Sequence, residues 1–301
     1  MTQEELKKQA EEVYGEAPKI DLSKVRNAGA VQKDLPKEAK KKINTAVNSA
    51  KKQQKAKFCF TEEHEVKIPT GGFLYQDAED EDIRNGIVRI RPMTMADEET
   101  LSNQSYMKNG TTFSHLLNDC ILNNFDAKNF NSYDVFFLLY TLREITYGEN
   151  YKFTITCPEC ERKYEYEMDI TKAEFKEFTE EDNIGTKKIE LPVSKYTVTM
   201  RAGCLGDEEE VLRLKKKTDY NELTLRYTAR ALEVLDENGE PISPDDYAEF
   251  FHALPGKDRA VITDEFKVID GAEIPNVTVT CPKCGHEEEV EIPMTLEFFR
   301  Y

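Results

Sequence analysis

Cys157-Pro-Glu-Cys160 and Cys281-Pro-Lys-Cys284 are two C-x-x-C knuckles with proline after the first cysteine, and the second lies 124 residues after the first. A β-rich tetrapeptide precedes each (Phe153-Thr-Ile-Thr156, Val277-Thr-Val-Thr280), and an alternating charged and apolar run follows (Lys163-Tyr-Glu-Tyr-Glu-Met168, Glu289-Val-Glu-Ile292). Both therefore read as strand, tight turn, strand. Zn²⁺ takes four thiolates in a tetrahedron and one knuckle supplies two, so the simplest reading is one site built from Cys157, Cys160, Cys281 and Cys284. Four soft ligands leave no open coordination position, which makes such a site structural rather than catalytic. A redox pair would need a strand-to-helix junction after the first cysteine, and a disulfide staple would need an oxidising compartment. Spacing does not separate one site shared within the chain from half-sites completed by another subunit.

The 301 residues carry a net charge of −17, which disfavours general nucleic-acid binding because phosphate repels such a surface. The charge is uneven. Residues 1–57 hold 14 Lys and Arg against 8 Asp and Glu, so a basic arm precedes an acidic body. No apolar run approaches membrane-spanning length and no cleavable leader is seen, so synthesis and retention in a cytosol are expected. Cys59, Cys120 and Cys204 lack partner spacing and read as free buried thiols. His286, two residues past Cys284, reads as a hairpin surface residue.

The arm offers a short charged helix over residues 1–14 and a second over 36–57, each with too thin an apolar stripe to stand alone. It is expected to be disordered or to dock on a partner protein. From Phe58 onward the sequence predicts a strand at Gly86-Ile-Val-Arg-Ile-Arg91 and a helix capped by Thr94 with Asp97-Glu-Glu99 in its first turn. A second helix is expected around Leu116–Phe125, and a buried one from Tyr133 to Ile145 with Ser132 as its cap. Further on come an acidic helix or loop at 171–185, a helix from Glu222 to Leu235 and another from Asp245 to Leu254 capped by Ser243. The C-terminal Leu296-Glu-Phe-Phe-Arg-Tyr301 is expected to dock its aromatics, on this chain or a neighbour.

Two colinear matches suggest an internal duplication. Val88-x-Ile90-Arg91 and Asp97-Glu-Glu99 align on Val198-x-Met200-Arg201 and Asp207-Glu-Glu209, 110 residues on. Asp134 and the first knuckle align on Asp258 and the second at a separation of 124. The expected fold is α+β: a helical body with short β-hairpins forming a split four-cysteine clamp, and an extended arm. It divides into an arm (1–57), a first unit (58–170) and a second (171–301), each unit giving half of one metal site.

Catalytic patterns are missing. Gly71-Gly72 lacks the rest of a phosphate loop, no Gly-x-Ser-x-Gly elbow occurs, and the acidic triplets read as helix-start acids beside Arg91 and Arg201. An enzyme is not expected.

Residues 66–170 resemble the hub-assembly and baseplate proteins of T-even-type tailed phages. The resemblance rests on Ile68-Pro-Thr-Gly-Gly-Phe-Leu-Tyr75, Val88-Arg-Ile-Arg-Pro-Met-Thr-Met-Ala-Asp-Glu-Glu99, Leu142-Arg-Glu-Ile-Thr-Tyr-Gly148 and the knuckle that follows. It implies a non-enzymatic role in tail or baseplate assembly, with no catalytic residues. On that footing the chain is expected to sit in the virion tail and bind other tail proteins through its arm and its aromatic C-terminus, without nucleic acid or membrane. The alternatives are a hub-assembly chaperone absent from the finished particle and a zinc-ribbon module for nucleic acid. The acidic run Glu287-Glu-Glu289 after the second knuckle argues against the last.

Overall fold

The computed structural model describes residues 62–182, 184–271, 275–292 and 294–299. The helices expected at 1–14 and 36–57, with Cys59, lie outside them. Among the described residues the chain forms nine α-helices and nine short antiparallel strands in four small sheets, which matches the mixed helix and sheet content read from the sequence.

Strands β1 (His64–Lys67) and β2 (Ile87–Ile90) pair antiparallel, His64 opposite Ile90. They are joined through the one-turn helix α1 (Glu81–Arg84). Alternation on β2 buries Val88 and Ile90 and exposes Arg89, as a half-buried strand requires. Three helices follow, α2 (Met95–Leu101), α3 (Gln104–Asn109) and α4 (Thr112–Cys120). The chain then returns to the sheet, with Ile121 bridged to Ile90. The nearly all-apolar α5 (Ser132–Tyr147) runs through the core, burying Val135, Leu138, Leu139 and Leu142. Its cap is Asn131, one residue earlier than expected, whose side chain accepts the Tyr133 amide. Hairpin β3 (Asn150–Thr156) and β4 (Lys163–Asp169) follows.

The remainder has a parallel layout. Strands β5 (Thr186–Glu190) and β6 (Thr197–Arg201) pair, helices α6 (Leu205–Lys215) and α7 (Glu222–Arg230) follow, and the chain returns as β7 (Ala231–Leu235) beside β6. The sequence predicts helix through Leu235, but the helix stops at Arg230. The Arg230 guanidinium anchors there, donating to the Arg201 carbonyl and both carboxylate oxygens of Asp270, and the next residues complete the sheet. Helices α8 (Tyr247–Ala253) and α9 (Gly256–Ile269) and the hairpin β8 (Asn276–Thr280) and β9 (Glu287–Glu291) end the chain's regular structure. Ser243 caps a 3-10 turn ahead of α8 rather than α8 itself. Residues 171–182 hold only short 3-10 turns, so the helical option there is not taken.

The same polar hook recurs in both layouts. Arg91 grips both carboxylate oxygens of Asp97 at 2.7 and 3.0 Å and donates to the Asp119 carbonyl at 2.8 Å. Arg201 grips Asp207 at 2.8 and 2.6 Å and the Ala229 carbonyl at 3.0 Å. Each arginine so ties the end of one strand to the start of one helix and the end of another. Asp97 and Asp207 also accept the cap amides of Thr94 and Cys204. The acidic triplets thus serve the helix starts, as first-turn acids should.

Two apolar cores result. Residues 68–170 form one with Val279, Cys281, Ile292, Phe298 and Phe299, and the other is made within 189–269. Of the C-terminal aromatics, Phe298 docks at home against Tyr140 and Tyr151 and Phe299 against Phe113, while Tyr301 lies outside the described residues. These two side chains are not available to a neighbour. Backbone stitches join the layouts, with Leu205 donating to the Phe130 carbonyl at 3.0 Å and Asn131 bridged to Cys204.

Asp134 and Asp258 occupy the third position of α5 and α9 and are fully buried. Asp134 accepts the Thr70 hydroxyl and the Tyr75 phenol at 2.5 Å each and the Thr70 amide at 3.2 Å. Burial lifts its carboxyl to about 6 although those bonds oppose it. A folded-state value above the unfolded one favours the folded state at low pH, so this stability is present near pH 4 and lost as pH rises through 6. The stability of wild type minus that of Asp134→Asn, followed by urea unfolding, should fall by on the order of 3 kcal/mol between pH 4 and 7.5. A flat difference would show that Asp134 titrates normally.

Candidate metal centre

Each knuckle is closed by its own backbone. Between β3 and β4 the Cys157 amide donates to the Arg162 carbonyl at 3.0 Å and the Glu161 amide to the Cys157 carbonyl at 3.0 Å. Between β8 and β9 the Cys281 amide donates to His286 at 2.8 Å and Gly285 to Cys281 at 2.9 Å. The residue after the second cysteine turns left-handed in both, at φ +55° for Glu161 and +72° for Gly285. That turn points both thiols of a knuckle the same way.

The two hairpins face each other and their sulfurs converge. Cys157 Sγ lies 3.6 Å from Cys284 Sγ, Cys160 Sγ lies 3.7 Å from Cys281 Sγ, and all four fall within 4.8 Å. Four sulfurs at about 2.3 Å from one Zn²⁺ would stand roughly 3.8 Å apart, far beyond the roughly 2 Å of a disulfide. The arrangement also pairs the knuckles reciprocally, the first cysteine of each against the second of the other. Cys157 and Cys281 are buried, Cys160 is half-buried and Cys284 is exposed. The amides of Cys284 and Lys283, with burial opposing, pull the Cys281 thiol down to about 6. Against the His286 amide, burial and the neighbouring sulfurs push Cys284 up to about 12, so the close sulfurs share their protons and Cys281 is the first to lose one. Tyr166 of β4 donates to the Thr278 carbonyl at 3.4 Å, a polar tie between the hairpins beside the sulfurs.

The other sequence candidates fall elsewhere. Cys120 is buried in the first core and burial pushes its thiol well up, while Cys204 is half-buried at the start of α6. His286 contributes its carbonyl to the second knuckle and is not among the converging groups. Sequence reading missed the left-handed Glu161, for which the aligned Gly285 was the available signal. No helix among the described residues is long and apolar enough to cross a membrane.

The chain belongs to the T4 bacteriophage base plate protein family, whose model matches residues 61–300. No curated protein and no solved structure matches it. Membership extends the resemblance seen over 66–170 to the whole described body, and implies a place in the phage tail among other tail proteins.

A side chain at left-handed φ costs on the order of 1 kcal/mol, which glycine does not incur. Glu161→Gly should raise the unfolding free energy by up to about 1 kcal/mol, and Gly285→Glu should lower it by about the same. Equal and opposite shifts in denaturation midpoint would check both, and a destabilised Glu161→Gly would contradict the turn geometry.

Proposed function

We propose that this chain is a non-enzymatic structural component of the contractile-tail baseplate or hub, its body clamped by one structural zinc on Cys157, Cys160, Cys281 and Cys284 of the same chain. The observation that supports the zinc is the convergence of four sulfurs within 4.8 Å, with two pairs at 3.6 and 3.7 Å, close to the spacing a tetrahedral ion sets. The baseplate role rests on the family match over residues 61–300. The polar side chains that sequence inspection could mistake for hydrolytic groups, Asp97 and Asp207, are occupied by Arg91 and Arg201.

The organisation we propose is a basic arm (1–57) and two units of common origin (58–170 and 171–301). Support for common origin comes from contacts that repeat at fixed separation. The arginine hook recurs 110 residues on, and the helix-start aspartate and the knuckle bonds recur 124 residues on. The arm is the segment we assign to contacts with other tail proteins. An assembly chaperone of the hub is the second reading, favoured by the acidic charge of residues 58–301, which hold 27 Lys and Arg against 50 Asp and Glu. That surface suits masking a basic partner.

Metal analysis of the full chain purified without chelator should give one zinc per chain, and Cys157→Ser and Cys281→Ser should each abolish it. Retention of half the zinc in either variant would mean separate sites. Quantitative mass spectrometry of gradient-purified particles should find the chain at a fixed small-integer ratio to a known tail protein. Its absence there, with abundance in the lysate, would favour the chaperone.

A further inference from the structure

Among the described residues of 276–299, the buried ones pack in the first core and none belongs to the second. Val279, Cys281, Ile292, Phe298 and Phe299 are buried with residues of 68–170, whereas the second core is complete within 189–269. The other described residues of this segment are half-buried or exposed, because β8 and β9 each expose every second residue. Among the described residues, the tie to the facing hairpin beyond the sulfur contacts is the long Tyr166–Thr278 bond.

Electrostatics oppose this docking. Residues 276–291 hold one Lys against four Glu, and residues 150–169 hold three Lys and Arg against five Asp and Glu. The outer face of β9 presents Glu287, Glu289 and Glu291, all exposed and none in an ion pair. Two acidic hairpins that also converge four thiols are held against repulsion. A Zn²⁺ among the sulfurs would displace four thiol protons and leave the site at −2, so it would not cancel this charge; what it would add is two bonds to each hairpin.

We propose that residues 276–299 are a metal-locked strap. With zinc bound, the strap closes over Tyr140, Tyr151 and Phe113. When zinc leaves, the hairpins separate and the strap opens, uncovering that aromatic surface while the second core stays folded. Metal occupancy thereby controls whether an apolar face of the first core is covered. This rests on the zinc reading above and adds its consequence.

The test is hydrogen exchange by mass spectrometry on the full chain, zinc-loaded, then metal-free after chelation, then with zinc restored. Released zinc is measured colorimetrically in the same samples. On zinc release, amides of 276–299 should lose protection by roughly a hundredfold or more, those of 186–269 should keep theirs, and added zinc should restore the first set. Zinc released with 276–299 still protected would overturn the strap and leave the metal site standing. Loss of protection throughout 186–269 as well would overturn it too, because the change would then be global unfolding. A loaded sample that never held zinc would remove the metal reading, and the strap with it.

Discussion

The convergence of four sulfurs is the constraint from which the rest of the arrangement follows. Cys157 and Cys284 stand 127 positions apart in the chain and 3.6 Å apart in space. Bringing such distant points together costs conformational entropy that grows slowly with loop length, and the burial of Val279, Cys281, Ile292, Phe298 and Phe299 in the first core offsets part of it. A cross-link across a loop of this size is worth about 4–5 kcal/mol in the chain-entropy account, provided it is made in the folded state without strain. The hairpins fit that requirement because each knuckle is already closed by its own backbone bonds. The convergence then positions β8 and β9 against the first core, and through them Phe298 and Phe299.

Away from the sulfurs, the strand-to-helix junctions depend on the arginine hooks. A guanidinium gripping a carboxylate with two parallel bonds fixes orientation as well as distance. Arg91 and Arg201 spend their remaining donors on carbonyls at the far end of the following helices, so each hook sets where the chain returns to its sheet. The partners Asp97 and Asp207 are nearly buried while the arginines keep partial exposure, which limits the desolvation cost to one side of each pair. Local propensity is weak in these short elements, and the hooks supply the order that propensity does not.

Much of this was legible in the sequence because it rests on local chemistry. The knuckles declare themselves by cysteine spacing and flanking alternation, β2 by Val88 and Ile90, and α5 by its apolar run. The repeated Arg and Asp spacing marked the hooks, although their carbonyl partners could not be read. What escaped depended on distant groups. The helix at 222–230 gives way to strand because Arg230 finds Asp270 forty residues on and β6 offers an open edge. The cysteine set already brought the second hairpin to the first, but the docking of Phe298 on Tyr140 and Tyr151 and of Phe299 on Phe113 was hidden, since nothing local distinguishes packing at home from packing on a distant half or a neighbour. The four cysteines were visible as a set, and their mutual distances needed the fold.

The paired aspartates show how equal positions can acquire opposite electrostatics. Asp134 and Asp258 both stand at the third residue of a helix and both reach back to the segment after a first strand. In the first layout that segment, between Lys67 and Ile87, is nineteen residues long and brings Thr70 and Tyr75 over the carboxylate. Two hydroxyls and one long amide bond do not offset the burial, so the carboxyl is lifted. In the second layout the connection from Glu190 to Thr197 is a six-residue turn. Burial still raises Asp258, but the Ser194 and Val193 amides, both at 2.8 Å, outweigh it and hold the carboxyl below its usual range. Backbone amides at a tight turn cannot rotate away, while hydroxyls can turn to donate or accept, so the shorter connection stabilises the anion and the longer one tolerates the acid. The direction in which each carboxyl is shifted thus follows the donors that its connection supplies, rather than the aspartate or its place in the helix.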